Sequence, residues 1–329
     1  MKKIRSIKKS FGLLMIFSFV LALSSCTTDP DANAKKNSIS KIISETATLS
    51  SLNAALIKTD LVNTLDSQGP YTIFAPTNDA FSAYLTANGY ANLDEVPTAD
   101  LKQLLLNHVI DAKYTTTTLP LDGYLKSLAK GAASTENTLS LYVKKTIVSS
   151  VTSVKINGVS NITSSNILAN NGVLNVVDAV IGLPTVVTHA SANANFSSLV
   201  AALSFNPASG FVSTLSGTAN APFTVFAPTN GAFTAFLTAN NYAGLSNIPA
   251  PALETTLKYH VVVGQNRLNA TLLNTNVIAT FAGQNLTIVE SNGTKKIKDA
   301  NNILAPIVAT DIQCTNGVIH AINGVLKPL

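Results

Sequence analysis

Tryptophan is absent from the 329 residues, cysteine occurs only twice, and charged side chains make up 12% of the chain. Two cysteines allow at most one bridge, so any folded unit must be held by its apolar core rather than by a disulfide framework. The missing tryptophan removes the broadest ring for stacking on sugars. Several catalytic and cofactor signatures are also missing from the sequence. There is no HExxH, no EF-hand loop and no Cys/His/Asp cluster at ligand spacing, so no metal site is expected. There is no GxxxxGK, no GxGxxG after a strand and no GxSxG, so neither a nucleotide cofactor nor an acyl-transfer serine is expected.

What is present begins with a targeting pattern. Lys2, Lys3, Arg5, Lys8 and Lys9 precede an apolar run over residues 11–23, too short to span a bilayer as a permanent helix. Leu23-Ser24-Ser25-Cys26 then resembles the lipobox of bacterial lipoproteins, which implies cleavage before Cys26 and acylation of its thiol. Two or more acyl chains suffice for stable anchoring, so the membrane contact expected is through the lipid alone. Thr27, in place of an aspartate, implies onward sorting to an outer membrane, and Asp29 and Asp31 resemble acidic export tags of surface lipoproteins. Residues 1–26 are thus read as signal and 27–37 as a polar tether.

Removing the leader changes the charge balance. Five of the 22 basic residues and none of the 17 acidic ones precede Cys26, leaving 17 of each. The basic character belongs to the leader, and a nucleic-acid partner is not expected.

The rest of the chain repeats itself. Residues 71–93, YTIFAPTNDAFSAYLTANGYANL, and residues 223–245, FTVFAPTNGAFTAFLTANNYAGL, agree at 16 of 23 positions at an offset of 152, which His108 and His260 share. Nearer the ends, Asn171-Gly172 aligns with Asn316-Gly317 at an offset of 145, so the second copy is shorter by about seven residues, most simply in a loop. The repeated block reads as a β-prone strand halted by Pro76, a helix capped by Thr77 with Ala80, Phe81, Tyr84 and Leu85 on one face, and an exit at Asn88-Gly89. Thr229, with Ala232, Phe233, Phe236 and Leu237, does the same in the second copy. Apolar helical patterns precede each block and β-rich segments follow it, with Asn292-Gly293 a hairpin turn. The expected fold is α+β, with two tandem domains over 38–184 and 185–329, each a β-sandwich or half-barrel with an N-terminal helical layer.

The residues from Phe74 to Phe81 and from Phe226 to Phe233 resemble the first signature box of fasciclin domains. Asn316-Gly317-Val318-Ile319-His320-Ala321-Ile322-Asn323-Gly324-Val325-Leu326 resembles the second, and Tyr259-His260 the Tyr-His pair between them. The copies depart from the pattern in different places. The first has Asn107-His108 and Asn175 but keeps Asp178; the second keeps both histidines but has Asn323 at the aspartate position. The resemblance implies adhesion, with partners among extracellular matrix, cell-surface proteins or polysaccharide; catalysis is not expected, because no catalytic constellation recurs in both copies. It marks Tyr259, His260, His108, His320 and Asp178 as candidate binding positions.

Packing competes with each of these roles. His108, His260 and His320 sit among apolar neighbours and read first as buried histidines bonded to backbone, His189 as a solvated linker residue, and Cys314 as a small buried strand residue. Tyr84, Tyr90, Tyr114, Tyr124, Tyr142 and Tyr242 are candidates for a sugar-stacking platform, the alternative being an accessory carbohydrate-binding or envelope-scaffold lipoprotein.

Overall fold

The computed structural model describes residues 37–329; the expected signal, Cys26 and the tether up to residue 36 lie outside the described residues. The first module opens with three short helices, α1 (Ile39–Glu45), α2 (Ser50–Lys58) and α3 (Val62–Asp66). Strand β1 (Tyr71–Pro76) follows and gives way to α4 (Asn78–Ala87), where the Thr77 side chain accepts from the Ala80 N–H. Gly89, at φ +76°, takes the left-handed exit that a side chain would disfavour. After α5 (Thr98–Leu106) come β2 (Val109–Ile110), β3 (Asp122–Gly131), β4 (Ser134–Val148), β5 (Val151–Ile156), β6 (Ser160–Ala169) and β7 (Gly172–Val177).

These strands make one seven-stranded sheet in the order β2-β1-β7-β6-β5-β4-β3. All neighbours are antiparallel except β1 and β7. That central pair is buried on both faces, and the period of two divides its side chains between two cores. Ile73, Ala75 and Leu174 pack under the helices, while Phe74 and Val177 point into the interior of the curled sheet with Leu141, Val143, Val154 and Ile156.

The second module repeats the plan with α6 (Val186–Ala192), α7 (Ser197–Ser204), α8 (Phe211–Ser216), β8 (Phe223–Pro228), α9 (Asn230–Ala239) and α10 (Ala250–Tyr259). Strands β9 (Val261–Val262), β10 (Val277–Ala279), β11 (Asn285–Ser291), β12 (Thr294–Lys298), β13 (Leu304–Cys314) and β14 (Gly317–Ile322) complete its sheet, ordered β10-β11-β12-β13-β14-β8-β9. Val225 and Ala227 face the helices and Phe226 the sheet interior, as in the first copy. Each Phe, Leu or Ile so buried contributes roughly 1.5–3 kcal/mol, so two cores of this size need no disulfide.

The two modules pack on each other. The Ala133 N–H donates to the Thr315 carbonyl at 2.8 Å, and the Gln313 N–H to Ser140 Oγ at 3.0 Å. Lys126 Nζ spans the same seam, donating to the Asp311 carbonyl at 2.9 Å and to Ser140 Oγ at 3.1 Å. Tyr124 of the first module packs against the helical core of the second, and its hydroxyl accepts from Asn193 Nδ2 at 3.1 Å.

His189 corrects a sequence expectation. It is fully buried in this seam, edge-on to Tyr124 with ring centroids 5.3 Å apart, rather than solvated. Neither of its ring nitrogens reaches a hydrogen-bond partner, although the Ser140 and Gln313 carbonyls lie near enough to oppose in part the burial that lowers its pKa to about 3. The cause is tertiary, because the first turn of α6 is covered only when the other module's sheet closes over it.

Candidate functional site

The histidines shared by the two copies form the most regular polar feature. Each sits just past the last turn of a helix, α5 or α10. His108 Nδ1 donates to the Leu104 carbonyl at 2.8 Å, and Nε2 accepts from the Ile181 N–H at 2.8 Å. His260 repeats this with the Thr256 carbonyl at 2.8 Å and the Leu326 N–H at 2.9 Å. Only the neutral ring protonated at Nδ1 satisfies both bonds. Burial pushes both imidazoles down to about 4, so they are uncharged at neutral pH. Each ring therefore pins the chain segment after the last strand to the helix before the second. Neither ring nitrogen is free to take a proton from a substrate.

A second arrangement is shared in position but not in residue. β6 and β13 both carry breaks in register against the last strand of their copy, and Asn166 and Asp311 sit there at φ +61° and +59°. Their side-chain oxygens accept from the Thr116 N–H at 2.9 Å and the Asn269 N–H at 2.7 Å. Their own N–H groups are met by Asn175 Oδ1 at 3.0 Å and by His320 Nδ1 at 3.5 Å. His320 Nε2 donates to the Arg267 carbonyl at 2.8 Å, and its ring stacks on Phe226 with centroids 5.8 Å apart. Burial lowers its pKa as well. Asn175 does half of this work, since its Nδ2 is buried without a partner.

Tyr259 is buried with its hydroxyl donating to the Asn285 carbonyl at 2.6 Å, which ties α10 to β11. Asn107 stands at that position in the first copy and reaches elsewhere, its Nδ2 donating to the carbonyls of Ile181 and Gly182 at 3.2 and 3.0 Å. Asp178 alone of the candidate binding residues is exposed, and it accepts from the Asn161 N–H at 2.7 Å and from Asn161 Nδ2 at 2.8 Å.

The structure thus scatters the sequence candidates rather than gathering them. His108, His260, His320 and Tyr259 are inside and occupied by backbone, so in this form they hold the fold and offer no surface to a partner. Among the tyrosines, Tyr142 is buried and Tyr84, Tyr90, Tyr114, Tyr124 and Tyr242 are half-buried, so these rings do not form an exposed stacking row. Cys314 is buried, as its strand position implies, and burial pushes its thiol up. Among the described residues no group of three or more His, Cys, Asp or Glu side chains is placed to hold a metal ion. Sequence reasoning missed the seam residues Lys126, Ser140 and Gln313. Nothing local marks them, because the bonds by which they join the modules form only where the two sheets meet.

The fasciclin domain family profile matches residues 47–184 and 194–328. The chain belongs to the fasciclin family. It is 37% identical over 144 residues to protein sll1483 of Synechocystis sp., covering 44% of this chain and 73% of that one. The cell surface glycolipoprotein MPB83 of Mycobacterium bovis is 32% identical over 148 residues, 44% of this chain and 60% of its own length. The solved FAS1 domain pair of the insect cell adhesion molecule fasciclin I superposes with a TM-score of 0.53 at 19% identity, covering 85% of this chain and 96% of that one. That likeness establishes the fold as two tandem fasciclin domains. Among the described residues no helix is long and apolar enough to cross a membrane.

Proposed function

We propose that this fasciclin chain is a lipid-anchored envelope protein that works by binding, through the outer surfaces of two modules held as one body, and not by catalysis. The observation that carries the reading is the use of the histidines. His108, His260 and His320 have their ring nitrogens engaged with backbone groups, and His189 is fully buried in the seam, so none of these natural general bases is presented to a substrate. The partners proposed are extracellular matrix, cell-surface protein or polysaccharide, met by exposed strands and loops. The anchor is Cys26, on the strength of the lipobox pattern, and the site is the outer membrane, facing outward. Similarity to a cell surface glycolipoprotein supports an exposed location.

The test is protease shaving of intact cells that express the full chain, with a Cys26→Ala variant alongside. Release of the modules from wild-type cells, together with shedding of the variant into soluble fractions, is the expected result. Protection of the wild-type chain from the protease would confine the modules to the periplasm and replace surface adhesion with an envelope-scaffold role.

A further inference from the structure

The two copies differ in chemistry where the same hairpin leaves each sheet. In the second module, β11 and β12 meet across the Asn292-Gly293 turn, with Glu290 opposite Lys295 and Ser291 opposite Thr294. In the first, β4 and β5 meet across Ser149-Ser150, with Ile147 opposite Thr152 and Val148 opposite Val151. Ile147, Val148 and Val151 are 57%, 64% and 70% exposed. Residues 146–153 carry no charge at all and are exposed throughout. One copy therefore carries charged side chains on its hairpin, while the other presents bare β-branched side chains.

This ribbon also projects beyond its neighbours. β3 accompanies β4 only as far as Lys144, and β6 joins β5 only at Lys155 and Ile156. Its base is fixed. Lys144 pairs with Asp122 at 2.6 Å, and the buried Lys145 Nζ donates to the carbonyls of Thr116, Thr117 and Leu119 at 3.1, 3.0 and 2.8 Å. Past that base, among the described residues, no strand lies along either outer edge. An uncharged, β-branched, uncovered edge is a template for another strand.

We infer that the β4–β5 ribbon of the first module is a self-association surface, pairing edge to edge with the same ribbon of a second copy of this chain. An antiparallel pairing about a twofold axis brings the β5 edge of one copy against the β5 edge of the other. Residues 146–153 bring no like charges together, and the antiparallel register sets Lys155 of one copy against the turn of the other rather than against its own equivalent. A lipid surface suits the ribbon less well, because the uncovered N–H and C=O groups would lose water without gaining partners. An edge of four or five residues buries well under the ~1,200 Å² of stable complexes, so the contact is weak singly and gains strength when many copies share a surface.

The inference is independent of matrix binding: a chain that stays monomeric yet is shaved from cells would keep the adhesion reading and remove this one. Sedimentation of the full-length chain in excess detergent over a concentration series is the primary measurement. Wild type is expected to show a reversible dimer, and a Val148→Lys, Val151→Lys double variant an association at least about tenfold weaker. Both positions are exposed, so the fold is retained. As a second measurement, Ser153→Cys is expected to cross-link to its copy through a bismaleimide, and Thr294→Cys, on the second module's hairpin, is not. A wild type that is monomeric throughout, equal cross-linking from the two positions, or vesicle binding by a chain that remains monomeric would each overturn the inference.

Discussion

Four histidines in a chain this sparing of charge are all buried, and the two that match between the copies contribute a pH dependence that can be worked out by sign. His108 and His260 fall from an ordinary value of 6.5 to about 4 on folding. A histidine lowered by folding takes its proton more readily in the unfolded chain, so its contribution is full above pH 6.5 and is lost as pH falls through 4. At pH 4.5 each histidine is expected to remove about 2–3 kcal/mol relative to pH 7.5, its own module bearing the loss. Urea unfolding at the two pH values measures this. A His108→Gln, His260→Gln chain, whatever its own stability, should show a smaller difference between them.

Among the elements, the hairpin of the first module contains a conflict between residue and conformation. Ser149 and Ser150 hold φ of +48° and +68°, where the second module places Asn292 and Gly293. A left-handed serine costs roughly 1 kcal/mol that glycine does not, although part of the gain is lost to the greater freedom of the unfolded chain. Ser150→Gly is therefore expected to stabilise the first module by about 0.5–1 kcal/mol, read as a rise in its thermal midpoint. Strands β6 and β13 show the opposite case. Their left-handed Asn166 and Asp311 carry short polar side chains that bond nearby backbone, which is why neither position needs a glycine.

The whole molecule is governed by the seam. Gly131 lies where a Cβ would come within 2.5 Å of the Thr315 Cα and 3.0 Å of the Thr315 carbonyl, and backbone cannot yield as a side-chain end can. Gly131→Val is expected to part the modules while leaving each folded. Small-angle scattering should then report a larger radius of gyration with an unchanged circular dichroism spectrum, and Lys126 and His189 should gain solvent access. An unchanged radius would mean that the seam tolerates the added side chain, and that burial there is not what holds the modules together.

Repetition made the sequence readable. A block recurring at an offset of 152 shows that there are two modules, and Pro76, Thr77 and Asn88-Gly89 fix where its strand and helix begin and end, because each acts within a few residues of chain. The same local chemistry marks Asn292-Gly293 as a turn. Buried backbone bonding was the expected state of His108, His260 and His320 because their neighbours are apolar. Which atoms they hold was not legible, since Ile181, Leu326 and Arg267 lie 53 to 73 residues away. His189 shows the boundary most clearly. Its local sequence is that of a linker, and only the approach of Tyr124, Ser140 and Gln313 from other strands removes it from water. Local sequence determines caps, turns and periodicity, because those bonds close over short stretches of chain. The seam, the polar circuits and the bare ribbon were decided by the tertiary structure, because burial is set by what arrives from elsewhere in the chain.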